Sequence, residues 1–396
     1  MFERTRSFTC SVVILALVGC AQNRTANGGV IPRESTELQQ ALATICAAQA
    51  VPALAVLILA NDEIAAVATA GVRVAGDDAP IDLHDRWHLS SCGKAMTATV
   101  LAKLVETGQL RWDSTLGAIF PELAGAMQEN IRGVTVRELV DHRAGLPLDQ
   151  RSGGGFGEEI RNAGSPREQR LAITRAVTAN TPTAPPGRRG PYSNTGFLIA
   201  GAVIERVTSK TWETAMREYL FEPLGMSSAG FGPPGKAMQN PQDEPWGHML
   251  IFGRRVAADP NGLLAVVPPW YGPAGDVHAS LPDWAKFVAL HAGGGQPLLA
   301  SETLEDMHRP IRESDYTCGF STARADWASG PVLGHHGSSP RWHTFVWLSP
   351  GDHVAFLVAC NQGGAAGDAA CRAAMQLIIE HWRKHARETK QVTKPT

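Results

Sequence analysis

Helical periodicity marks both ends of the chain. Leu38, Leu42 and Cys46 fall on one face of a predicted helix, and Ser35 before it is a suitable N-terminal cap. Apolar residues within 370–382 form a second such face near the end of the chain. The patterns therefore predict one helix at each terminus.

Short apolar runs predict β-hairpins beside both helices. Runs 54–59 and 64–67 flank Asn-Asp-Glu, and runs 343–348 and 353–358 flank Ser-Pro-Gly-Asp. Because strand patterns lie at both ends and helical patterns lie between them, the sequence indicates an α+β fold with an antiparallel sheet. The expected parts are a sheet subdomain at about residues 35–85 and 315–388 and a mainly helical subdomain at about residues 86–314.

Helical signals recur between the two hairpins. Ser91 precedes one apolar helical face, and a Thr-Val-Arg-Glu capping box begins at Thr135. Further helical faces follow Asn194 and Ser280. Residues 148–191 are rich in Gly, Pro and Arg with one helical stretch, which is typical of a functional loop.

The N-terminus predicts export and membrane anchoring. Two arginines precede an apolar run at residues 11–19, which is shorter than the roughly 20 residues that span a bilayer and fits a secretory signal. The run ends in Leu-Val-Gly-Cys20, which is similar to a bacterial lipobox. Acylation of Cys20 would anchor the chain on the periplasmic side of the outer or inner membrane; an unlipidated chain with a signal cut nearby is the alternative. The expected segments are a signal peptide at 1–19, a lipidated tether at 20–34, a folded domain at 35–388 and a tail at 389–396.

Composition is typical of a globular protein. Hydrophobic residues make up 44% of the chain and the net charge is -2, so no nucleic-acid partner is expected. Five cysteines follow Cys20, so at least one stays unpaired within the chain in an oxidising compartment. Pairing of Cys46 with Cys371 is one possibility among several, and Cys92 is expected to be a small buried residue. The Cys and His spacings predict no metal site.

A Ser-x-x-Lys pair occurs once in the chain, at Ser91 and Lys94. At a helix start, residues three apart lie on one face, so the lysine can take the serine proton. Backbone N–H groups at the same place can stabilise a developing oxyanion. A helix-capping serine with an exposed lysine is the structural alternative.

Tyr192-Ser193-Asn194 follows a rigid, proline-rich approach. A tyrosine beside a lysine can exchange protons with a serine nucleophile. Asn194 offers both a donor and an acceptor to a substrate amide. The alternative is a turn with an asparagine near a helix cap.

His335-His336-Gly337-Ser338 precedes the second hairpin. Gly337 allows the backbone to approach a bound acyl group closely, and the Ser338 N–H can act as an oxyanion donor beside that of Ser91. The alternatives are a surface loop and a weak metal pair. Adjacent histidines on a strand point in opposite directions, so they chelate one ion poorly.

In this order, the three motifs resemble those of the serine β-lactamase and penicillin-binding superfamily, in particular its class C and esterase branch. The motifs of that superfamily are Ser-x-x-Lys, Tyr-x-Asn and Lys-Thr-Gly or His-x-Gly. Segments 139–147, 222–226 and 273–280 are also similar to connecting segments of the branch, and the likeness runs from about Thr36 to Arg383.

The resemblance implies a role for each motif residue. Ser91 would be the nucleophile, Lys94 its activating base and Tyr192 the proton shuttle to the leaving group. Asn194 would orient the substrate, and His335 would take the place of the third-motif lysine. The implied reaction passes through an acyl-enzyme that water cleaves, with no metal or organic cofactor.

Two positions depart from the family pattern. Arg341 stands where the family usually has a glycine, and it would either bind a substrate carboxylate or stay solvated. Asp276 replaces the second glycine of an Ala-Gly-Gly segment, so the shape of that loop is not determined by the resemblance.

The leading functional prediction is a serine hydrolase of a carboxylic ester or amide. His335 carries less fixed positive charge than a lysine, which favours esters over substrates with a carboxylate, unless Arg341 supplies the charge. The alternatives are a β-lactamase or D-amino-acid peptidase acting on cell-wall peptides, and a non-catalytic binding protein of the same fold. Metal-dependent and α/β-hydrolases are disfavoured, because the chain has neither His-Glu-x-x-His nor Gly-x-Ser-x-Gly.

Overall fold

A computed structural model describes residues 34–146, 160, 162–188, 190–293, 298–311 and 314–392. The predicted signal peptide, Cys20 and nearly all of the tether lie outside the described residues, as does much of the Gly- and Pro-rich stretch at 148–191. Within the described part, no helix is long and apolar enough to cross a bilayer.

In the described part of the chain, the strands pair into one large sheet and two small ones. They are β1 (Ala53–Ala60), β2 (Glu63–Gly71), β3 (Arg86–His88), β4 (Gly230–Phe231), β5 (Gly247–Ile251), β6 (Arg254–Ala258), β7 (Val277–Ser280), β8 (Tyr316–Thr317), β9 (Phe320–Arg324), β10 (Pro331–Ser338), β11 (His343–Ser349) and β12 (Val354–Cys360). The large sheet is antiparallel and has the order β2-β1-β12-β11-β10-β9-β8. Strand β1 pairs with β12, so the predicted sheet from both ends of the chain is confirmed.

Helices flank the sheet and fill the middle of the chain. They are α1 (Thr36–Ala48), α2 (Gly93–Glu106), α3 (Leu116–Ile119), α4 (Pro121–Ala124), α5 (Glu129–Arg132), α6 (Val136–Val140), α7 (Pro166–Thr178), α8 (Asn194–Thr208), α9 (Trp212–Met216), α10 (Gly272–Gly275), α11 (Leu281–Ala292), α12 (Ser301–His308) and α13 (Gly364–Val392). The mixed architecture confirms the predicted α+β class. Helix α13 continues past residue 389, where the sequence predicted a tail.

The predicted caps begin three of these helices. Ser35 Oγ accepts the Leu38 N–H at 3.4 Å before α1. Thr135 forms its capping box at the start of α6, and Ser280 accepts a backbone N–H at the start of α11. Each cap satisfies a backbone donor that the first helical turn leaves without a partner.

The two terminal helices bury their apolar faces against the large sheet. Leu38 and Leu42 of α1 and Ile378 of α13 share one core cluster with strand residues. Cys46 and Cys371 belong to the same cluster, but both thiols are free, so the possible disulfide between them is not formed. Burial raises the pKa of the Cys46 thiol to about 12.

His248 is a buried histidine whose two ring nitrogens both form hydrogen bonds. His248 is completely buried; its Nδ1–H donates to the Asn361 carbonyl at 2.8 Å, and its Nε2 accepts the Ala75 N–H at 2.9 Å. Burial lowers the pKa of His248 to about 4. The neutral imidazole satisfies both bonds, whereas a proton on Nε2 would break the second one.

We expect stability to fall on acidification because of His248. Its pKa is lower in the folded chain than its usual value near 6.5, so its stabilising contribution is complete above that value and is lost as the pH falls towards 4. Between pH 7 and 5 the loss should be about 2 kcal/mol in the free energy of unfolding. Urea titrations of His248→Gln should show a correspondingly smaller pH dependence. The exposed His84→Gln is the control; equal pH dependence of wild type and His248→Gln would contradict the assignment.

Candidate active site

Ser91 lies in a single 3-10 turn, Ser90–Cys92, that leads directly into α2. Ser90 has a positive φ of 48°, which is uncommon for a residue with a side chain. Gly275, with φ of 154°, packs against the Ser90 carbonyl, where a Cβ would lie 2.9 Å from that oxygen. The tight approach of α10 to this turn therefore holds Ser91 at the start of α2.

Lys94 is one helical turn further along and is completely buried. Its Nζ lies 3.2 Å from Ser91 Oγ and 2.7 Å from Asn194 Oδ1, and it also donates to the Ala274 carbonyl. The predicted contact between the first-motif serine and lysine is present. The exposed-lysine alternative is wrong, because tertiary packing of α2 against α8 and α10 encloses the side chain.

The second motif reaches the same point from α8. Ser193 caps that helix by accepting the Gly196 N–H, which places Asn194 at its first position. The Tyr192 ring lies just before the cap, with its centroid 5.0 Å from Lys94 Nζ. The first two motifs therefore converge on the lysine amine, as the resemblance implied.

Two aromatic residues that the sequence did not single out complete this region. The His142 ring centroid lies 4.3 Å from that of Tyr192 and 4.3 Å from that of Tyr316. His142 Nδ1 accepts the Ser193 N–H at 3.2 Å, so its proton is on Nε2. Burial, followed by the charge of Lys94, lowers the pKa of His142 well below its ordinary value. His142 is therefore a neutral ring that supports Tyr192.

His335 of the third motif is buried on β10, and both of its nitrogens have partners. Nδ1 lies 3.0 Å from the His336 carbonyl and therefore donates to it; Nε2 accepts the Tyr316 hydroxyl at 3.0 Å. Burial, reinforced by Lys94, lowers the pKa of His335 to about 3, so the ring is neutral at physiological pH. The prediction that this position carries less positive charge than a lysine agrees with this geometry.

Gly337 lets β10 pack directly on the turn that carries Ser91. A Cβ at Gly337 would clash with the Leu89 carbonyl and with Thr344 Oγ1. Cys92 Sγ fills the adjoining space, 3.5 Å from the His335 carbonyl and 3.5 Å from Thr344 Oγ1. Its burial and a pKa raised to about 12 agree with the prediction of a small buried residue.

The remaining predicted site residues, Ser338 and Arg341, lie at the end of β10 and just after it. Ser338 ends β10 and pairs in register with His343. Arg341 Nη1 donates to the Leu264 carbonyl at 2.6 Å. That bond ties the guanidinium to a neighbouring turn, and its binding to a substrate carboxylate stays a prediction.

Asp276, the second departure from the family pattern, belongs to a buried chain of polar groups. Its Oδ1 lies 3.0 Å from His88 Nε2, and His88 Nδ1 lies 3.2 Å from Ser90 Oγ. All three side chains are buried. Burial raises the pKa of the Asp276 carboxyl, while its hydrogen bond to His88 acts in the opposite sense. These hydrogen bonds connect the loop after α10 to Ser90, the residue before the nucleophile.

We expect Asp276→Ala to destabilise the protein and to impair the site. The substitution leaves His88 Nε2 buried without its partner, which costs about 1–3 kcal/mol of unfolding free energy. Denaturant unfolding checks the loss, and Asp276→Asn, which keeps an oxygen acceptor, should retain more stability. The control is Asp113→Ala, an exposed carboxylate beside Arg111, with an expected change below about 0.5 kcal/mol. Equal effects at residues 276 and 113 would refute the role of the buried chain.

Comparison with known proteins places this site in a family. The family model described as Beta-lactamase matches residues 38–379. The chain belongs to the beta-lactamase family. The match covers all three motifs, so the predicted superfamily is confirmed.

Proteins that are similar in sequence to this beta-lactamase family member differ in name. Penicillin-binding protein 4 of Amycolatopsis lactamdurans is 25% identical over 335 residues, which is 80% of this chain and 82% of the relative. Unguisins hydrolase ungD' of Aspergillus campestris is 29% identical over 69% of this chain. The chain spans 52% of the length of that second relative.

Solved structures that resemble this chain share its fold. A class C beta lactamase from Rhodobacter sphaeroides has a TM-score of 0.70 at 16% identity, over 87% of this chain and 99% of that one. A D-amino acid amidase from Ochrobactrum anthropi has a TM-score of 0.68 at 21% identity, over 89% of this chain and 100% of that one. The proteins that resemble this chain therefore include ones named as hydrolases, and the solved structures have the fold of this chain.

Proposed function

We propose that the chain is a serine hydrolase that forms an acyl-enzyme on Ser91 and hydrolyses a carboxylic ester or amide. The observation that carries the proposal is the environment of Lys94. Its amine is completely buried and lies 3.2 Å from Ser91 Oγ. A buried amine within hydrogen-bond reach of a serine hydroxyl is the arrangement that activates a nucleophile.

The hydrogen-bond partners of Lys94 hold its amine beside Ser91. Asn194 Oδ1 and the Ala274 carbonyl are acceptors without a proton of their own, so each takes an N–H of the amine. The amine also lies 3.2 Å from Ser91 Oγ. Once the amine has lost a proton, its lone pair can accept the proton of the Ser91 hydroxyl. Lys94 is thereby positioned to act as the general base.

Proton transfer and oxyanion stabilisation follow from the neighbouring groups. As Ser91 Oγ attacks the substrate carbonyl, its proton passes to Lys94 Nζ. Tyr192, whose ring centroid lies 5.0 Å from that nitrogen, delivers a proton to the leaving group. The N–H groups of Ser91 and Ser338 stabilise the oxyanion. Water then cleaves the ester to Ser91, with the same groups acting in reverse.

The third motif favours a substrate without a carboxylate beside the reacting carbonyl. A neutral His335, with both nitrogens bonded inside the protein, supplies no charge to such a group. Desolvation of an unpaired carboxylate is costly. An ester, or an amide with an uncharged leaving group, suits this site better than a cephalosporin or a peptide with a free C-terminus.

Hydrolysis of a D-amino acid amide is the second candidate. A structural neighbour is a D-amino acid amidase, and penicillin-binding protein 4 is a relative by sequence. An amino acid amide lacks a carboxylate, so it satisfies the same condition at His335. Its ammonium group would need an acidic or carbonyl partner near Asn194.

Parallel turnover of three substrates tests these proposals. Residues 21–396, without the predicted signal peptide and Cys20, are assayed with p-nitrophenyl butyrate, a chromogenic cephalosporin and D-phenylalanine amide, with Ser91→Ala as the blank. Rapid ester turnover with an inert cephalosporin supports the esterase. Turnover of the amide in preference to the ester supports the second candidate. A cephalosporin as the best substrate would overturn the argument from His335 and make Arg341 the next residue to substitute.

We further propose that the chain is exported and anchored through an acylated Cys20. The expected outcome of Cys20→Ser is release of the protein from the membrane fraction to the soluble fraction of the cell envelope, because the acyl chains are lost. Fractionation and immunoblotting measure it, with Cys10→Ser as the control. Membrane association of the unacylated variant at the wild-type level would rule out the lipid as the dominant anchor.

A further inference from the structure

Large apolar side chains protrude from one segment of the described chain, residues 250–266. Phe252 is 102% exposed and Leu263 is 93% exposed. The segment contributes five exposed large apolar side chains: Leu250, Phe252, Leu263, Leu264 and Val266. Among the described residues, Tyr192 in the candidate site is the other such side chain. Clustering of this kind marks an interaction surface.

The segment forms a hairpin and the turn that follows it. Strands β5 and β6 meet at Phe252 and Gly253, and the turn Leu263–Ala265 lies against β6. Arg341, which follows the third motif, donates to the Leu264 carbonyl. The exposed apolar surface is therefore continuous with the loop beside the candidate active site.

A phenylalanine at position 252, the tip of the hairpin, does not contribute to folding in the way that is usual for an aromatic residue. Its φ is 48°, in a region that large side chains rarely adopt, and Asn, Asp or Gly is preferred at such hairpin tips. Phe252 at this tip also exposes its whole ring to water. The position thus carries both a strained backbone and an unburied aromatic ring.

The shape of the surface argues for a planar partner. A pocket for a small ligand encloses most of that ligand, so its lining residues are partly shielded. Phe252 and Leu263 are fully or almost fully exposed and project outwards. Protruding aromatic and aliphatic side chains of this kind can enter the interfacial region of a bilayer.

The charges beside the hairpin tip complement an anionic lipid surface. Arg254 and Arg255 follow the tip directly, and both are exposed. Arg255 is held by Gln362 and by the Ala50 carbonyl, which fixes this side of the hairpin to the end of α1. Asp259 is the single acidic residue in the segment. Basic residues near an apolar insertion strengthen binding to anionic lipids.

We propose that residues 250–266 dock on an anionic bilayer surface, with Phe252 and Leu263 inserted and Arg254 near the headgroups. This contact holds the mouth of the candidate site, through Arg341 and Leu264, close to the membrane. The proposal depends neither on the hydrolase activity nor on acylation of Cys20. It adds a protein-borne contact that would act together with a lipid anchor.

Vesicle binding of unlipidated protein tests the proposal. All described helices and strands belong to one compact unit, so residues 21–396 contain the whole described fold. Cosedimentation is measured with phosphatidylcholine vesicles and with mixed phosphatidylcholine–phosphatidylglycerol vesicles. Wild type should bind the mixed vesicles more tightly. Phe252→Ser combined with Leu263→Ser should lower the partition coefficient at least about tenfold, while Phe252→Trp should keep it.

Charge variants separate the electrostatic part of the contact. Arg254→Gln should weaken binding to the mixed vesicles about fivefold and leave binding to neutral vesicles unchanged. Arg324→Gln, an exposed arginine on β9, is the matched control and should bind as wild type does. Turnover of a soluble ester and the unfolding midpoint should be the same in all these variants, which excludes misfolding as the cause.

Three results would overturn the proposal. The first is that wild type binds neither type of vesicle, and the second is that the double variant binds as tightly as wild type. The third is that wild type self-associates without vesicles while the double variant is monomeric, which would make the surface an interface between two copies of the chain. Analytical ultracentrifugation of both proteins distinguishes this last case.

Discussion

Ser91→Ala should lower turnover by about 10⁵-fold and abolish covalent labelling by a fluorophosphonate. The hydroxyl is the group that Lys94 Nζ approaches at 3.2 Å, and without it no acyl-enzyme forms. Steady-state hydrolysis of p-nitrophenyl butyrate measures the loss of turnover, and intact mass spectrometry after treatment with the fluorophosphonate measures the loss of labelling. The fold should be unaffected, because Ser91 makes no helix cap.

Cys92→Ala is the matched control for this substitution. Cys92 is next to the nucleophile and buried, and its pKa of about 12 keeps the thiol protonated. Removal of the thiol should therefore leave labelling of Ser91 intact and should lower the free energy of unfolding only modestly. Labelling that persists in Ser91→Ala, at any other residue, would remove Ser91 from the proposed role.

Lys94→Met should lower kcat and kcat/KM together by about 10³–10⁴-fold. The methionine approximates the volume of the buried stem but removes the amine that accepts the Ser91 proton. Because this interaction acts in the transition state and not in substrate binding, KM should change little. Initial rates over a range of ester concentrations, together with the thermal unfolding midpoint, give both quantities.

A second lysine on the same helix provides the control. Lys103 lies near the end of α2, partly exposed, and donates to Glu106 and to the Leu298 carbonyl. Lys103→Met should leave kcat within about twofold of wild type, as most surface substitutions do. Comparable losses in the two variants would show that α2 as a whole, and not the Lys94 amine, supports turnover.

Local sequence signals predicted the elements of this fold well. Ser35, Thr135 and Ser280 each cap the helix that their pattern indicated. Both hairpins form where apolar runs flank turn residues, and β1 pairs with β12. These features depend on interactions within a few residues, or on apolar faces long enough to require burial, so the sequence alone predicts them.

The motif residues were also predictable, because each is recognisable by its neighbours in the chain. Ser91 and Lys94 are three residues apart, and Tyr192 and Asn194 share one short segment. That they meet around one amine was implied by the resemblance to a family. Spacing alone favoured a capping serine with an exposed lysine.

The supporting residues could not be predicted, because their partners are remote in sequence and carry no local signature. Tyr316 donates to His335 from a neighbouring part of the sheet, and Asp276 bonds His88 across 188 positions. His142 was part of a familiar segment, but nothing in that segment showed that its ring would lie between Tyr192 and Tyr316.

The sequence by itself determined the family, the α+β class and the identity of the motif residues, because these depend on local pattern and on residue type. The tertiary structure alone decided the state of the site. Burial makes His335 neutral, and the partners of Lys94 hold its amine 3.2 Å from Ser91 Oγ. Both effects arise from desolvation and from hydrogen bonds between distant segments, which no stretch of sequence contains.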